Sequence, residues 1–234
     1  MIFDKILTKI RNLKNNTSKS TSTMDFVPSY SQEGEDMILR EIFQGKTEGF
    51  YVDIGAYDPI RFSNTNYFYQ LGWKGINVEP SPDGIERFNL YRKNDINLNA
   101  GISREAGKLK YYVFEEAALN TFDSKRVEYL EMNSSYRHQS SVDIPVYSLA
   151  SILSKYCPGQ KIDFMNIDVE WHEMEVLQSN DWDQFRPKVL LIEILDFDLD
   201  LLSTNRVHNF LKGIGYKFEC KTPRTSFYLD QRTK

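Results

Sequence analysis

From Gly49 onward the chain alternates short apolar runs with stretches whose apolar positions recur at helical spacing. Strands joined through helices cannot pair as tight hairpins, so this rhythm predicts parallel βαβ units in one sheet. GFYVDIG reads as the first buried strand. Ser63 is placed to cap a helix running through Tyr67 to Leu71 and ending at Gly72, and GINVEP follows as a second strand. Ser81 and Pro82 supply an N-cap and a first-turn proline, after which Ile85, Phe88 and Tyr91 fall near one face. INLNAGIS reads as a third strand and KLKYYVFE as a further one. VDIPVYSL leads into the short helix SILSKY, and KIDFMNIDVE and PKVLLIEIL form the fourth and fifth core strands. GYKFECKTPRTSFYLD reads as two strands joined by a proline-containing turn, closing the sheet with an antiparallel edge.

Two stretches depart from this rhythm. Residues 115–141 are polar and mixed, without a clear period, and are the candidate for a lid on the substrate side. At the start, MIFDKILTKIRNLKNN sets Ile2, Phe3, Ile6, Leu7, Ile10 and Leu13 at helical spacing among lysines and an arginine. It reads as a basic amphipathic helix, and TSKSTST after it as a polar linker, so residues 1–28 are expected to stand apart from a domain over 29–234. Such a helix can pack on its own domain, join two copies into a homo-oligomer, or make peripheral contact with a membrane surface.

Composition narrows the picture. At 234 residues with 41% hydrophobic and 14% aromatic content, the chain can bury one sizeable core. A net charge of -4 gives no reason to expect binding along a phosphate backbone, so nucleic acid is not the expected partner. Cys157 and Cys220 are too few for a disulfide framework, and no apolar run approaches the roughly 20 residues that span a bilayer. A cytoplasmic location is the expectation.

Candidate chemistry sits at the strand ends, because an open α/β sheet binds its ligand beyond the carboxyl ends of its strands. These ends are acidic: Asp53 and Asp58 after the first strand, Glu79 after the second, Asp168 and Glu170 after the fourth, Glu193 after the fifth. A dinucleotide site calls for G-x-G-x-x-G, where backbone approaches a pyrophosphate. DIGAYDP has one glycine, Gly55, followed by Ala56, and no lysine. That loop suits a ligand without phosphate and with cationic groups, such as S-adenosylmethionine. Glu79, 24 positions beyond Gly55, stands where an acid accepts both hydroxyls of a ribose.

YSQEGED, FYVDIGA, RFSNTNYFYQLGWKGINVEP, NAGIS, IDFMNIDVEWHEMEVL and RPKVLLIEI follow one another in order, and with them the chain resembles the FkbM family of methyltransferases from about Tyr30 to Asp230. The resemblance implies a class I methyltransferase fold, Rossmann-like α/β, whose seven-stranded sheet carries helices on both faces and an antiparallel last strand. It also implies S-adenosylmethionine as donor and a hydroxyl, usually on a sugar or polyketide-type metabolite, as acceptor. By position, Asp53, Gly55, Ala56 and Tyr57 would contact the methionine part, Glu79 with Pro80 the ribose, and Gly101, Ile102 and Ser103 the adenine edge. Asp168 would also border the cofactor, and Gln32 and Asp36 would close over it from the N-terminal side. Two positions depart from the family's pattern: Asn166, where Lys or Ser is more frequent, and Trp171, where Gly is.

Transfer to a sugar hydroxyl needs help removing its proton. His172, two residues after Glu170 and four after Asp168, is the expected base, oriented by one of those carboxylates. Alternatively Asp168, His172 and Glu193 form a nitrogen and oxygen ligand set for Mn²⁺ or Mg²⁺. The expected acceptor is a carbohydrate hydroxyl, a nucleotide-activated sugar for a surface polysaccharide being one form, with Tyr136, Arg137 and His138 available to an anionic group. A non-sugar hydroxyl and a non-catalytic interaction module are the alternatives. A nucleobase amine is disfavoured, because the fourth strand ends in N-I-D-V-E rather than N/D-P-P-Y/F.

Overall fold

The computed structural model describes residues 27–195 and 197–232, so the expected N-terminal helix lies outside the described residues. Ten strands form along them: β1 (Phe50–Ile54), β2 (Lys74–Val78), β3 (Ile96–Leu98), β4 (Gly101–Ile102), β5 (Gly107–Phe114), β6 (His138–Tyr147), β7 (Phe164–Ile167), β8 (Val189–Glu193), β9 (Tyr216–Lys221) and β10 (Thr225–Asp230). The helices are α1 (Glu35–Ile42), α2 (Asn66–Gln70), α3 (Pro82–Tyr91), α4 (Ser124–Asn133), α5 (Leu149–Tyr156), α6 (Glu173–Gln178) and α7 (Arg206–Gly213). Seven strands make the main sheet in the order β3-β2-β1-β7-β8-β10-β9. The first five are parallel, and β10 runs antiparallel between β8 and β9. This is the expected Rossmann-like α/β architecture.

Strand alternation explains why helices cover both faces. In β7, Phe164 joins one cluster with Tyr51, Phe68 and Trp73, whereas Met165 and Ile167 join the other with Val52 and Ile54. Near the strand ends one face turns polar. Asn97, Asn77, Asp53 and Asn166 are register partners across β3, β2, β1 and β7, a polar row, buried at its last three members, that apolar patterning does not reveal.

The capping residues act as their types require. Ser81 accepts from Gly84 N at the start of α3, and Ser63 accepts from Asn66 N at the start of α2. Ile85 and Phe88 are buried as expected, but Tyr91 is half-exposed, because the chain turns Arg92 inward there instead. INLNAGIS is not one strand. Asn99 donates to the carbonyls of Glu79 and Pro80, which draws the chain out of the main sheet after β3, and β4 continues in a separate sheet ordered β4-β6-β5. The expected lid, 115–141, contains a 3-10 turn, α4 and the start of β6.

Candidate functional site

The floor of the site is the loop after β1. Gly55 has a φ of 77°, and a Cβ there would lie 1.7 Å from the Asp168 carbonyl, so only glycine lets β1 and β7 end side by side. Beyond it Tyr57 adopts a left-handed φ of 57° and donates its backbone N–H to Glu79 Oε2 at 2.7 Å. Ser81 N donates to Glu79 Oε1, also at 2.7 Å. Each carboxylate oxygen keeps a further lone pair for a ligand. Burial lifts the Glu79 carboxyl to about 7, against the pull of those two amides.

Asp53 is fixed from two sides, accepting from Thr65 Oγ1 at 3.0 Å and Asn166 Nδ2 at 2.9 Å, and burial raises its pKa. With Asp53 accepting, the orientation of two amides follows. Asn166 turns its Oδ1 to Asn64 Nδ2 at 2.9 Å, which leaves Asn64 Oδ1 buried without a partner among the described residues. Asn166, one departure from the family's pattern, thus links Asp53 to Asn64. Asp53, Asn64, Ala56, Tyr57, Glu79 and Pro80 all border a cavity of about 300 Å³. Gln32 reaches its rim, and the same cavity continues to Asp168, Glu170 and Glu193.

These last three carboxyls form the chemical centre. Each offers an oxygen, and the three atoms lie within 4.8 Å of one another. Burial, then the neighbouring acids, pushes Glu193 up to about 8 and Asp168 well above its ordinary value. Glu170 is raised by burial as well, opposed by the buried Arg126, whose guanidinium pairs with it at 2.6 Å. Thr121 donates to the Glu170 carbonyl at 2.7 Å, and Tyr129 of α4 lies against Trp171 with ring centres 5.1 Å apart. The 115–141 segment therefore clasps the loop after β7. That loop holds Glu170 and Trp171 at φ of 50° and 78°, left-handed values that a glycine takes freely and tryptophan does not.

Several expected residues stand elsewhere. His172 does not border this cavity. Its ring lies 5.8 Å from the Phe122 ring, its Nε2 is buried without a partner among the described residues, and burial lowers its pKa. Where Asp168, His172 and Glu193 were expected together, Asp168 and Glu193 converge with Glu170, and His172 follows the left-handed turn at 170–171. Asp36 is buried, and its carboxylate is taken up by Ser29 Oγ, Tyr30 N and Ser31 Oγ, so it orders the 29–31 segment instead of facing the cavity. Gly101 and Ile102 lie in β4 with Ser103 after them, none of them on the cavity wall; a Cβ on Gly101 would strike the Phe122 ring, and it is Phe122 that reaches the cavity. Phe122 and Arg126 were not singled out in the sequence, because their stretch lacks a period; Tyr111 lay inside a stretch read as a strand, and Asn64 inside a quoted motif, neither of which assigns a role.

Known proteins give three results. Small RNA methyltransferase HEN1 superposes with a TM-score of 0.43 at 13% identity, over 93% of this chain and 28% of that one. The fibrillarin pre-rRNA processing protein of Methanococcus jannaschii does so with a TM-score of 0.43 at 12% identity, over 92% and 86%. This chain thus spans less than a third of the first protein's length and most of the second's. No curated protein sequence matches. The sequence profile of the methyltransferase FkbM domain matches residues 53–218, from Asp53 at the cavity floor to Phe218 in β9, well over half of the 234 residues. The chain belongs to the FkbM methyltransferase family.

Proposed function

We propose that this methyltransferase is an S-adenosylmethionine-dependent O-methyltransferase acting on a carbohydrate hydroxyl. One observation carries the reading: a single cavity runs from Glu79 at the tip of β2 to Glu193 at the tip of β8, three strand spacings or roughly 14 Å across the sheet. An elongated donor lying across the strand ends would bring its reactive end beside the three carboxyls.

The residues fit the donor. Asn64 Oδ1, buried and without a partner, calls for an N–H donor, which the amino group of the methionine part provides. Glu79 can accept from two ribose hydroxyls, and the glycine-poor loop offers no cradle for phosphate. When bound, S-adenosylmethionine supplies an electrophilic methyl group on a sulfonium. The protein's part is to hold the acceptor oxygen in line with that methyl and to take its proton as the oxygen–carbon bond forms and the carbon–sulfur bond breaks. Glu193, at the end of a rigid buried strand, is placed to receive that proton with Asp168 beside it.

A second reading has its own support. Three carboxyl oxygens within 4.8 Å are also a ligand set for a hard divalent cation, Mg²⁺ or Mn²⁺, which would acidify the hydroxyl directly. S-adenosylhomocysteine release measured on free, amino-bearing and nucleotide-linked sugars, with EDTA or added Mg²⁺ or Mn²⁺, separates the two. Release that survives EDTA is expected for the carboxylate base, and release only with added metal would replace it by the metal reading. A protein that binds the donor yet methylates no sugar would defeat the carbohydrate assignment.

A further inference from the structure

Resting on that reading, the location and charge of the acceptor can be taken further. Behind Glu193 and Leu195, which also border the donor cavity, opens a second cavity of about 560 Å³. Its apolar wall is made by Met174 of α6, Val207 of α7 and Leu201, the last 54% exposed at the mouth, and Trp171 adds an aromatic surface. Among the described residues four carboxyls line it, Asp123, Glu173, Glu193 and Asp198, against one cation, Arg206. Two of them are held rigidly by capping: Asp123 Oδ1 accepts from Lys125 N and Arg126 N, and Asp198 Oδ1 accepts from Asp200 N. In each the second oxygen is left for a ligand.

We infer that this second cavity is the acceptor site and that it admits hydroxyl-bearing acceptors without phosphate, amino sugars being the best match. Glu193 and Leu195 line both cavities, so an acceptor hydroxyl in the second would lie beside the residue placed to take its proton. Near neutral pH burial keeps Glu173 and Glu193, both raised to about 8, largely uncharged, so Asp123 and Asp198 carry the excess of negative charge over Arg206 that a diphosphate would meet, each close pair weakening binding by about tenfold or more. An ammonium would gain from the same carboxyls, and Trp171 offers a ring for its apolar side. Trp171, the second departure from the family's pattern, becomes a specificity residue.

The test reads the charge of the cavity without needing the natural acceptor. Val207→Cys in a Cys220→Ser background is labelled with methanethiosulfonates bearing either a trimethylammonium or a sulfonate head; Leu201→Cys at the mouth serves as a second position. Relative to free cysteine, the cationic reagent is expected to be favoured by about tenfold or more, and the labelled protein to keep its S-adenosylmethionine Kd within about twofold. Equal or reversed preference would overturn the charge assignment, and loss of donor binding on labelling would overturn the division into two sites. Greater turnover of a nucleotide-linked sugar than of its free or amino-bearing counterpart would overturn the proposal too. Failure of the unlabelled protein to bind the donor would instead defeat the methyl-transfer reading and leave the labelling ratio to decide the cavity's charge.

Discussion

Glu193 and His172 show how little separates a candidate base from a structural side chain. Both are titratable and both stand at strand ends in the sequence, yet one ends a strand whose last residue borders the cavity and the other follows a left-handed turn and lies against Phe122. Replacing Glu193 by Gln keeps the shape and removes the proton acceptor. We expect kcat to fall by about 10²–10⁴ with donor affinity held within about twofold. His172→Ala should instead leave kcat within about threefold and lower Tm, since it removes a half-buried ring. A large kcat loss in His172→Ala with Glu193→Gln unaffected would return the base to His172. The reverse surprise at this scale is Asn166, unremarkable as a residue type but the bridge that orients Asp53 and Asn64.

Between elements, the contact that matters most is that of α4 with the loop after β7. Arg126 and Glu170 form a nearly buried pair, and with Thr121 and Tyr129 they hold that loop in a left-handed conformation. Strain of this kind costs about 1–3 kcal/mol per residue and persists only where neighbours enforce it. Arg126→Ala leaves a buried carboxylate without its partner and should cost about 3–5 kcal/mol. Adding Glu170→Ala removes the orphaned charge, so the double variant should recover at least about 1 kcal/mol relative to additivity in chemical denaturation. Strict additivity would mean that the pair does not brace the loop. This clasp was illegible in the sequence, because residues 115–141 show neither helical nor strand period even though α4 buries Arg126, Val127 and Leu130. A buried arginine reads as polar until its carboxylate partner, 44 positions away, is known.

For the molecule as a whole, the clustering of acids at the strand ends ties stability to pH. Burial raises Glu79 to about 7 and Glu173 to about 8, both from 4.5. A carboxyl with a raised folded-state pKa contributes stability that is full below its unfolded value of 4.5 and is lost as pH climbs through its folded value, about 7 for Glu79 and about 8 for Glu173. Scanning calorimetry should therefore show Tm falling as pH rises through this window, with the fall shallower in Glu79→Gln. A flat or rising profile would show that these carboxyls ionise without penalty. No helix among the described residues is long and apolar enough to cross a membrane.

The sequence by itself determined the sheet and its strand ends. Buried parallel strands must be apolar runs, helices between them must present apolar stripes, and Gly55 and Glu79 are required by local backbone geometry and by position at a strand tip. Ser81 and the proline after it marked a helix start for the same local reason. Only the tertiary structure decided which acids converge, that Glu170 joins Asp168 and Glu193, that Asp36 turns inward to Ser29 and Ser31, and that INLNAGIS divides between two sheets. Direction of a side chain after a strand depends on a few φ values, and those at Glu170 and Trp171 are imposed by α4 rather than by their own residue types. Strand periodicity is a local property, whereas the meeting of carboxyls from β7 and β8 depends on the order of strands in the sheet.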